Sequence, residues 1–135
     1  MVKMSAVYEG NLRCALTHQP SGARLETDAP KDNMGKGERF SPTDLVGAAF
    51  AGCVLTTMAI VAQRDGVELR GARAEVSKEM ISAPSRRVGA LPLTVTLSAS
   101  IPADYRAKLE NAARTCPVHK SLHPDLKAEI TFVYA

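Results

Sequence analysis

SPTDLVGAAFAGCVLTTMAIVAQR, residues 41–64, is the stretch of this 135-residue sequence that decides its fold. Ser41 and Asp44 form an S-x-x-D box with a proline in the first helical position, which is typical of a helix start. No charged residue occurs from Leu45 to Ala62. Because a helix that is apolar on every side must be buried on every side, we expect a central core helix with Cys53 near its middle.

A transmembrane span is the alternative interpretation of this stretch, because about 18 uncharged residues are the usual threshold. At about 1.5 Å per residue the run covers about 27 Å, slightly less than a bilayer core. It is rich in Ala, Gly and Thr, and neither end carries the Trp or Tyr of a membrane interface. These features favour a buried helix and no membrane.

The composition indicates a single globular domain over residues 1–135. A net charge of +3, with Lys and Arg spread along the chain, is too small to predict a nucleic-acid partner. The first ten residues lack the apolar region of a signal peptide, so the expected location is cytoplasmic. Three cysteines without Cys-x-x-Cys spacing predict neither a disulfide framework nor a zinc site.

Hydrophobic periodicity and turn residues divide the chain into strands and helices. Before the long helix we expect a strand over about 5–16 that carries Cys14, a turn at 18–22, a second strand at 23–27 and a charged loop at 28–40. After the helix we expect strands at 72–81, 88–101 and 126–135, with helices at 103–115 and 117–122 between the last two. This order predicts an α+β fold, and a long helix without a polar face predicts a partner subunit that completes its cover.

Three segments together resemble the OsmC/Ohr family: SPTDLVGAAFAGC, the downstream CPVHKSL and the preceding TDAPKDNMGKGERF. The family contains thiol-dependent hydroperoxide reductases. The resemblance implies an OsmC-like α+β fold, in which antiparallel sheets from two intertwined chains of a homodimer enclose two long helices.

The resemblance also implies the chemistry. Cys53 matches the peroxidatic cysteine of the family and Cys116 matches the resolving one. The substrate would be an organic peroxide or hydrogen peroxide, and a dithiol would restore the reduced enzyme. Neither a metal nor an organic cofactor is implied.

The activation of Cys53 requires a cation, because the thiolate is the nucleophile and an apolar site by itself raises a thiol pKa. Family members supply an arginine that is oriented by an acidic residue. Arg39 lies in the loop from which one branch of the family supplies this arginine, and Arg24 and Arg13 are the alternatives. Each of the three could instead be an ordinary surface charge.

The orienting acid departs from the family pattern. Peroxidase members generally carry Glu ten residues before the cysteine, where this chain has Thr43. The neighbouring Asp44 lies about 180° from Cys53 around a helix axis, which favours a capping role. Glu38, beside Arg39, could supply the missing carboxylate.

The remaining cysteines and histidines have competing interpretations. Cys116 precedes a proline at a helix start, where backbone N–H groups stabilise a thiolate, but a small buried hydrophobe is equally compatible with the sequence. Cys14 is expected in the core. His119 is expected to face solvent, because a Cys-His dyad between neighbours on one short helix is rare.

Two functions remain open from the sequence. The first is a cytoplasmic thiol-dependent peroxidase for oxidative-stress defence, with Cys53 as nucleophile, Cys116 as resolving cysteine, Arg39 as activator and Glu38 as its orienting group. The second is a non-catalytic dimeric module that binds a small hydrophobic ligand or an electrophile near Cys53, an alternative that Thr43 motivates.

Overall fold

The computed structural model describes all 135 residues, which pack as two compact units, residues 1–46 and 47–135. The first unit contains a three-stranded sheet and the start of the long helix. The second contains the rest of that helix, the remaining strands and two further helices.

The first unit is built on an antiparallel sheet in the order β1 (Met4–Gly10), β2 (Arg13–His18) and β3 (Arg24–Asp28). The prediction of one strand over 5–16 is wrong, because Asn11 and Leu12 turn the chain with φ of 56° and 62°. Two successive left-handed residues match the twist of a tight hairpin. The predicted turn at 18–22 and the following strand are confirmed.

The long helix α1 (Pro42–Arg64) begins at the predicted capping box. The Asp44 N–H donates to Ser41 Oγ at 3.0 Å, and the Ser41 N–H donates to Asp44 Oδ2 at 2.8 Å. These two bonds satisfy N–H groups that the first helical turn leaves without intrahelical partners. The capping role of Asp44 is therefore confirmed.

The end of α1 is set by Gly66, whose φ of 70° lies in the left-handed region. The Val67 N–H donates to the Ala62 carbonyl at 2.9 Å, which closes the last turn. A glycine adopts this conformation without the steric cost that a side chain would add. The predicted stop after Arg64 is confirmed.

One face of α1 is buried, at residues spaced three or four apart: Gly47, Phe50, Val54, Met58 and Ala62. The expectation that the helix is buried on every side is wrong for a single chain, because Gly52, Thr56 and Ile60 are exposed. The helix is long and apolar enough to cross a membrane. Its buried face, however, packs in the core of the second unit, as in a soluble protein.

The second unit contains two sheets. The predicted strands 72–81 and 88–101 are each divided in two, the second of them at Leu91-Pro92, because proline lacks the N–H that a ladder needs. The five strands are β4 (Arg73–Val76), β5 (Glu79–Ile81), β6 (Arg87–Ala90), β7 (Leu93–Leu97) and β8 (Ile130–Tyr134). One sheet has the order β4-β7-β8, and β5 pairs with β6.

Two helices, α2 (Ala103–Arg114) and α3 (Pro117–Ser121), connect β7 to β8. Because this connection carries the chain back to the starting end of the sheet, β7 and β8 are parallel, whereas the other strand pairs are antiparallel. The α+β class is confirmed.

The core of the second unit is one apolar cluster. It combines the buried face of α1 with the inward side chains of β7 (Leu93, Val95 and Leu97) and with Leu109, Ala113 and Cys116 from the α2–α3 segment. The two helices therefore pack on the same face of α1 as the strand, and the second cysteine of the resemblance lies inside this cluster.

Candidate functional site

Two cysteines meet in the core of the second unit. Cys53 lies on α1, one turn after the fully buried Phe50, and its side chain is partly exposed. Cys116 lies at the N-terminus of α3 and is 0% exposed. Cys53 packs against the apolar cluster that contains Cys116 and raises the pKa of the Cys116 thiol, and both residues are free thiols.

The backbone at Cys116 makes it an N-cap. Pro117 occupies the first position of α3, and the His119 N–H donates to Cys116 Sγ at 3.2 Å. The sequence left open whether Cys116 caps a helix or is a small buried hydrophobe. The structure shows that it is both.

Burial raises the pKa of the Cys116 thiol above its usual value. The His119 N–H bond lowers this pKa and the neighbouring Cys53 raises it, but burial has the largest effect. Cys116 is therefore a protonated, shielded thiol in the reduced protein, in contrast to the thiolate that the N-cap position suggested. Cys53 is the member of the pair that a small molecule reaches first.

His119 is the residue of this site that the sequence reasoning missed. It was expected to face solvent, but its ring stacks on Phe50 with 5.5 Å between ring centroids and 19° between ring planes. His119 Nδ1 also lies 3.2 Å from the Arg114 carbonyl oxygen. A capping analysis would have found part of this arrangement, because the N3 residue donates its N–H to an N-cap side chain.

The first unit holds a separate cluster of charges around Arg13, on β2. The Arg13 guanidinium binds the Glu38 carboxylate and lies 3.7 Å from Asp28 Oδ2. The Glu38 N–H donates to the buried Asp28 carboxylate at 3.0 Å. This backbone bond, followed by the Arg13 charge, holds the pKa of Asp28 below its usual value, and the Glu38 bond raises the pKa of Arg13.

The expected side-chain pairing of Glu38 with Arg39 is not present. Arg39 donates from Nη1 to the backbone carbonyl of Glu38 at 2.9 Å, and its Nε lies 3.7 Å from Glu26 Oε2. The Glu38 carboxylate orients Arg13 instead. The path of the bend at residues 38 and 39 brings the Glu38 carboxylate to β2, which is why sequence neighbours were a poor guide to this pairing.

A polar contact joins the C-terminal end of α1 to α2. The Asp65 carboxylate accepts a bond from the Tyr105 hydroxyl at 2.7 Å and lies 2.5 Å from Lys108 Nζ. The Lys108 and Tyr105 bonds hold the pKa of Asp65 below its usual value, while burial and the Asp65 bond raise the pKa of Tyr105 to about 12. No group of three or more potential metal ligands occurs in the structure.

The family model for OsmC-like proteins matches residues 35–131, which include both cysteines of the pair. This chain belongs to the OsmC-like family. None of the curated proteins matches it.

Solved structures of OsmC-like proteins share the whole fold. An osmotic stress induced and detoxification response protein from Psychrobacter arcticus is 39% identical, with a TM-score of 0.91 over 98% of this chain and 96% of the other. An organic hydroperoxide resistance protein from Legionella pneumophila is 15% identical, with a TM-score of 0.79 over the same shares. OhrB of Bacillus subtilis is 19% identical, with a TM-score of 0.70 over 98% and 97%.

Proposed function

We propose that this OsmC-like protein is a thiol-dependent hydroperoxide reductase. The observation that carries the proposal is the cysteine pair, in which a partly exposed Cys53 packs against the apolar cluster that contains the fully buried Cys116. The names of the Legionella pneumophila and Bacillus subtilis relatives refer to organic hydroperoxide resistance, which supports a peroxide as the substrate.

The proposed cycle has three steps. The Cys53 thiolate attacks the outer oxygen of a hydroperoxide, the O–O bond breaks, and the alkoxide takes a proton and leaves as an alcohol. Cys53 becomes a sulfenic acid. The Cys116 sulfur then attacks the Cys53 sulfur, which releases water and forms a disulfide, and a dithiol reduces that disulfide by exchange while it is itself oxidised.

The burial of Cys116 suits the second step better than the first. A buried thiol with a raised pKa does not compete for peroxide, because only the thiolate is nucleophilic. Since it already adjoins Cys53, it needs little movement to reach a sulfenic acid there. The sulfenic acid is thereby protected against further oxidation, which is irreversible in most proteins.

A cation is still needed to favour the Cys53 thiolate. We retain Arg39 as the proposed activator. The proposed acidic residue, Glu38, binds Arg13 with its carboxylate, and Arg13 gains support as an alternative activator because Glu38 and Asp28 fix its guanidinium. Separate Arg39→Ala and Arg13→Ala variants decide between the two. Loss of the true activator lowers the rate at which Cys53 reacts with peroxide, whereas loss of the other arginine leaves that rate close to wild type.

A homodimer in the cytoplasm is part of the proposal. The exposed face of α1 includes Ile60, which is 46% exposed, alongside the small residues Gly52 and Thr56. A second copy of the chain would cover this face, as the family resemblance implies. A monomeric mass in size-exclusion chromatography with light scattering at micromolar concentration would contradict this part of the proposal.

A ligand-binding module is the second candidate function. Thr43 stands where peroxidase relatives generally carry Glu, and its hydroxyl lies 3.1 Å from the Ser41 hydroxyl. A hydroxyl cannot supply the negative charge that orients an arginine. In this alternative, Cys53 lines a pocket for a small hydrophobic ligand or electrophile and is not turned over.

Steady-state peroxide consumption with a dithiol reductant tests the peroxidase directly. We expect Cys53→Ser to abolish turnover, and Cys116→Ser to permit one reaction with peroxide and then stop. Cys14→Ser is the matched control, because Cys14 lies in β2 of the first unit and is expected to leave the rate unchanged. Full activity in both Cys53→Ser and Cys116→Ser would exclude the mechanism.

A further inference from the structure

His119 makes three contacts that converge on the segment carrying Cys116. Its backbone N–H donates to Cys116 Sγ, its ring stacks on Phe50, and its Nδ1 lies within hydrogen-bond distance of the Arg114 carbonyl oxygen. None of these contacts has a role in the cycle described above. Together they connect the last residue of α2, the N-cap of α3 and the helix that carries Cys53.

The Arg114 contact fixes the orientation of the imidazole. A carbonyl oxygen only accepts hydrogen bonds, so His119 Nδ1 must carry the proton in this contact. The bond joins the side chain of α3 to the end of α2, across the short connection at Thr115 and Cys116. The imidazole therefore cannot rotate about its Cβ–Cγ bond without the loss of this hydrogen bond.

The Phe50 contact fixes the position of the same ring against α1. Phe50 is 0% exposed and precedes Cys53 by three residues, a spacing that places both on one side of the helix. A nearly parallel ring contact on this fully buried partner defines where α3 begins relative to that side. The position of Cys116 against Cys53 thus depends on His119.

We propose that His119 is a positioning residue for disulfide formation between Cys53 and Cys116, an inference that rests on the proposed function. Its side chain holds the N-terminus of α3 against the Cys53 turn of α1. Its N–H stabilises negative charge on Cys116 Sγ as the proton leaves and the sulfur attacks. Only the second chemical step depends on this arrangement, since peroxide reacts with Cys53 alone.

Substitutions separate the two side-chain contacts. His119→Ala removes both the ring stack and the Arg114 bond, whereas His119→Phe keeps an aromatic ring for Phe50 without the Nδ1 donor. Each variant retains the backbone N–H to Cys116. Lys120→Ala is the matched control, because Lys120 is the exposed next residue of the same helix.

The first readout uses one equivalent of cumene hydroperoxide, with dimedone to trap sulfenic acid and intact mass to follow both products. We expect His119→Ala to form sulfenic acid at the wild-type rate and to close the disulfide about tenfold to a hundredfold more slowly, the loss that a misplacement of about 1 Å can cause. His119→Phe recovers most of the closure rate, and Lys120→Ala matches wild type.

The second readout needs no peroxide. Equilibration in glutathione buffers measures the effective concentration of the two thiols toward each other, and we expect it to fall about tenfold or more in His119→Ala. If wild type closes the disulfide with glutathione but not with peroxide, the peroxidase proposal fails and the role of His119 is still measured. Wild-type closure rate and effective concentration in a folded His119→Ala would overturn the inference.

Discussion

Helix α1 contacts the α2–α3 segment at two places with opposite chemistry. At its middle, Phe50 and Cys53 meet His119 and Cys116 without an ion pair, whereas at its C-terminal end the Asp65 carboxylate binds Tyr105 and Lys108. Burial raises the pKa of Cys116 in the first region, and bonds to a hydroxyl and an ammonium group lower the pKa of Asp65 in the second.

The difference indicates that the middle and the C-terminal end of α1 are held by different kinds of interaction. In the proposed mechanism, the apolar surroundings shield Cys116 from peroxide, while a cation is still required to favour the Cys53 thiolate. The charged contact of Asp65 with Lys108 and Tyr105 is separate from the thiol pair and more exposed. Packing should therefore dominate the free energy of unfolding at the middle of α1, and hydrogen bonds should dominate at its end.

The largest effect is expected from Phe50→Ala. Phe50 is fully buried, so removal of the ring should reduce the free energy of unfolding by about 3–5 kcal/mol. Guanidinium denaturation measures this loss, and Phe50→Leu, which keeps much of the apolar volume, is the control with a smaller loss. Equal stability of Phe50→Ala and wild type would show that the middle of α1 is not held by packing.

The next effect is kinetic and concerns the accessibility of the two thiols. We expect iodoacetamide to alkylate Cys53 faster than Cys116 in the native protein, on the order of tenfold or more, because Cys116 is both buried and protonated. Peptide mass mapping over time measures both rates, with Cys14→Ser as the background to simplify the analysis. If the alkylation rates of Cys53 and Cys116 differ in the native protein and become similar in denaturant, burial is supported as the cause of the difference. Equal rates in the native protein would contradict it.

A smaller effect is expected at the charged end of α1. Asp65→Ala removes the acceptor and Tyr105→Phe removes the donor of the same hydrogen bond, so the double variant should lose less stability than the sum of the two single variants. Asp104→Ala, at an exposed acid on α2, is the control. Fully additive losses from Asp65→Ala and Tyr105→Phe would mean that the two side chains do not act together.

The Asp65 contribution also has a defined pH dependence. Because the folded-state pKa of Asp65 is lowered, the stability it provides is fully present above the unfolded pKa of about 4 and is lost as the pH falls through the folded pKa. Urea denaturation of wild type and Asp65→Asn between pH 7 and about pH 2 measures this. The stability difference between the two should shrink toward the acid end of the range.

The smallest effect is expected at alkaline pH from the two tyrosines that contact acids. Burial and the bonds to Asp65 and Glu110 raise the pKa values of Tyr105 and Tyr134 to about 12. The unfolded chain ionises near pH 10, so these groups stabilise the fold below that pH and lose this contribution as the pH rises toward 12. The increase in phenolate absorbance near pH 12 should be smaller in Tyr105→Phe than in wild type, because one of the two tyrosines that ionise there has been removed.

The sequence was most informative where a single segment determined the result. The apolar run that follows the Ser41 capping box predicted α1 to its last residue, and the Cys116-Pro117 pair predicted an N-cap. Local rules of capping and chain termination decide these features, because they depend on neighbours in the sequence. The α+β class followed from the order of the elements.

The features that the sequence did not predict depend on residues distant in the chain. The stacking of His119 on Phe50 joins positions 69 residues apart, and the pairing of Glu38 with Arg13 depends on the path of a loop. The hairpin turn at Asn11 and Leu12 is the exception, because it is local and the Gly10-Asn11 pair carries a turn signal that the prediction of one continuous strand did not use. Alternation alone does not reveal a two-residue turn with left-handed φ values.

The peroxidase proposal is tested most directly by the number of thiols that one equivalent of cumene hydroperoxide removes. The protein has three cysteines, and we predict that two thiols disappear while the intact mass falls by about two hydrogens, which indicates a Cys53–Cys116 disulfide. Three thiols that remain unchanged, under conditions in which a control peroxidase reacts completely, would contradict the peroxidase and leave the ligand-binding module as the better account.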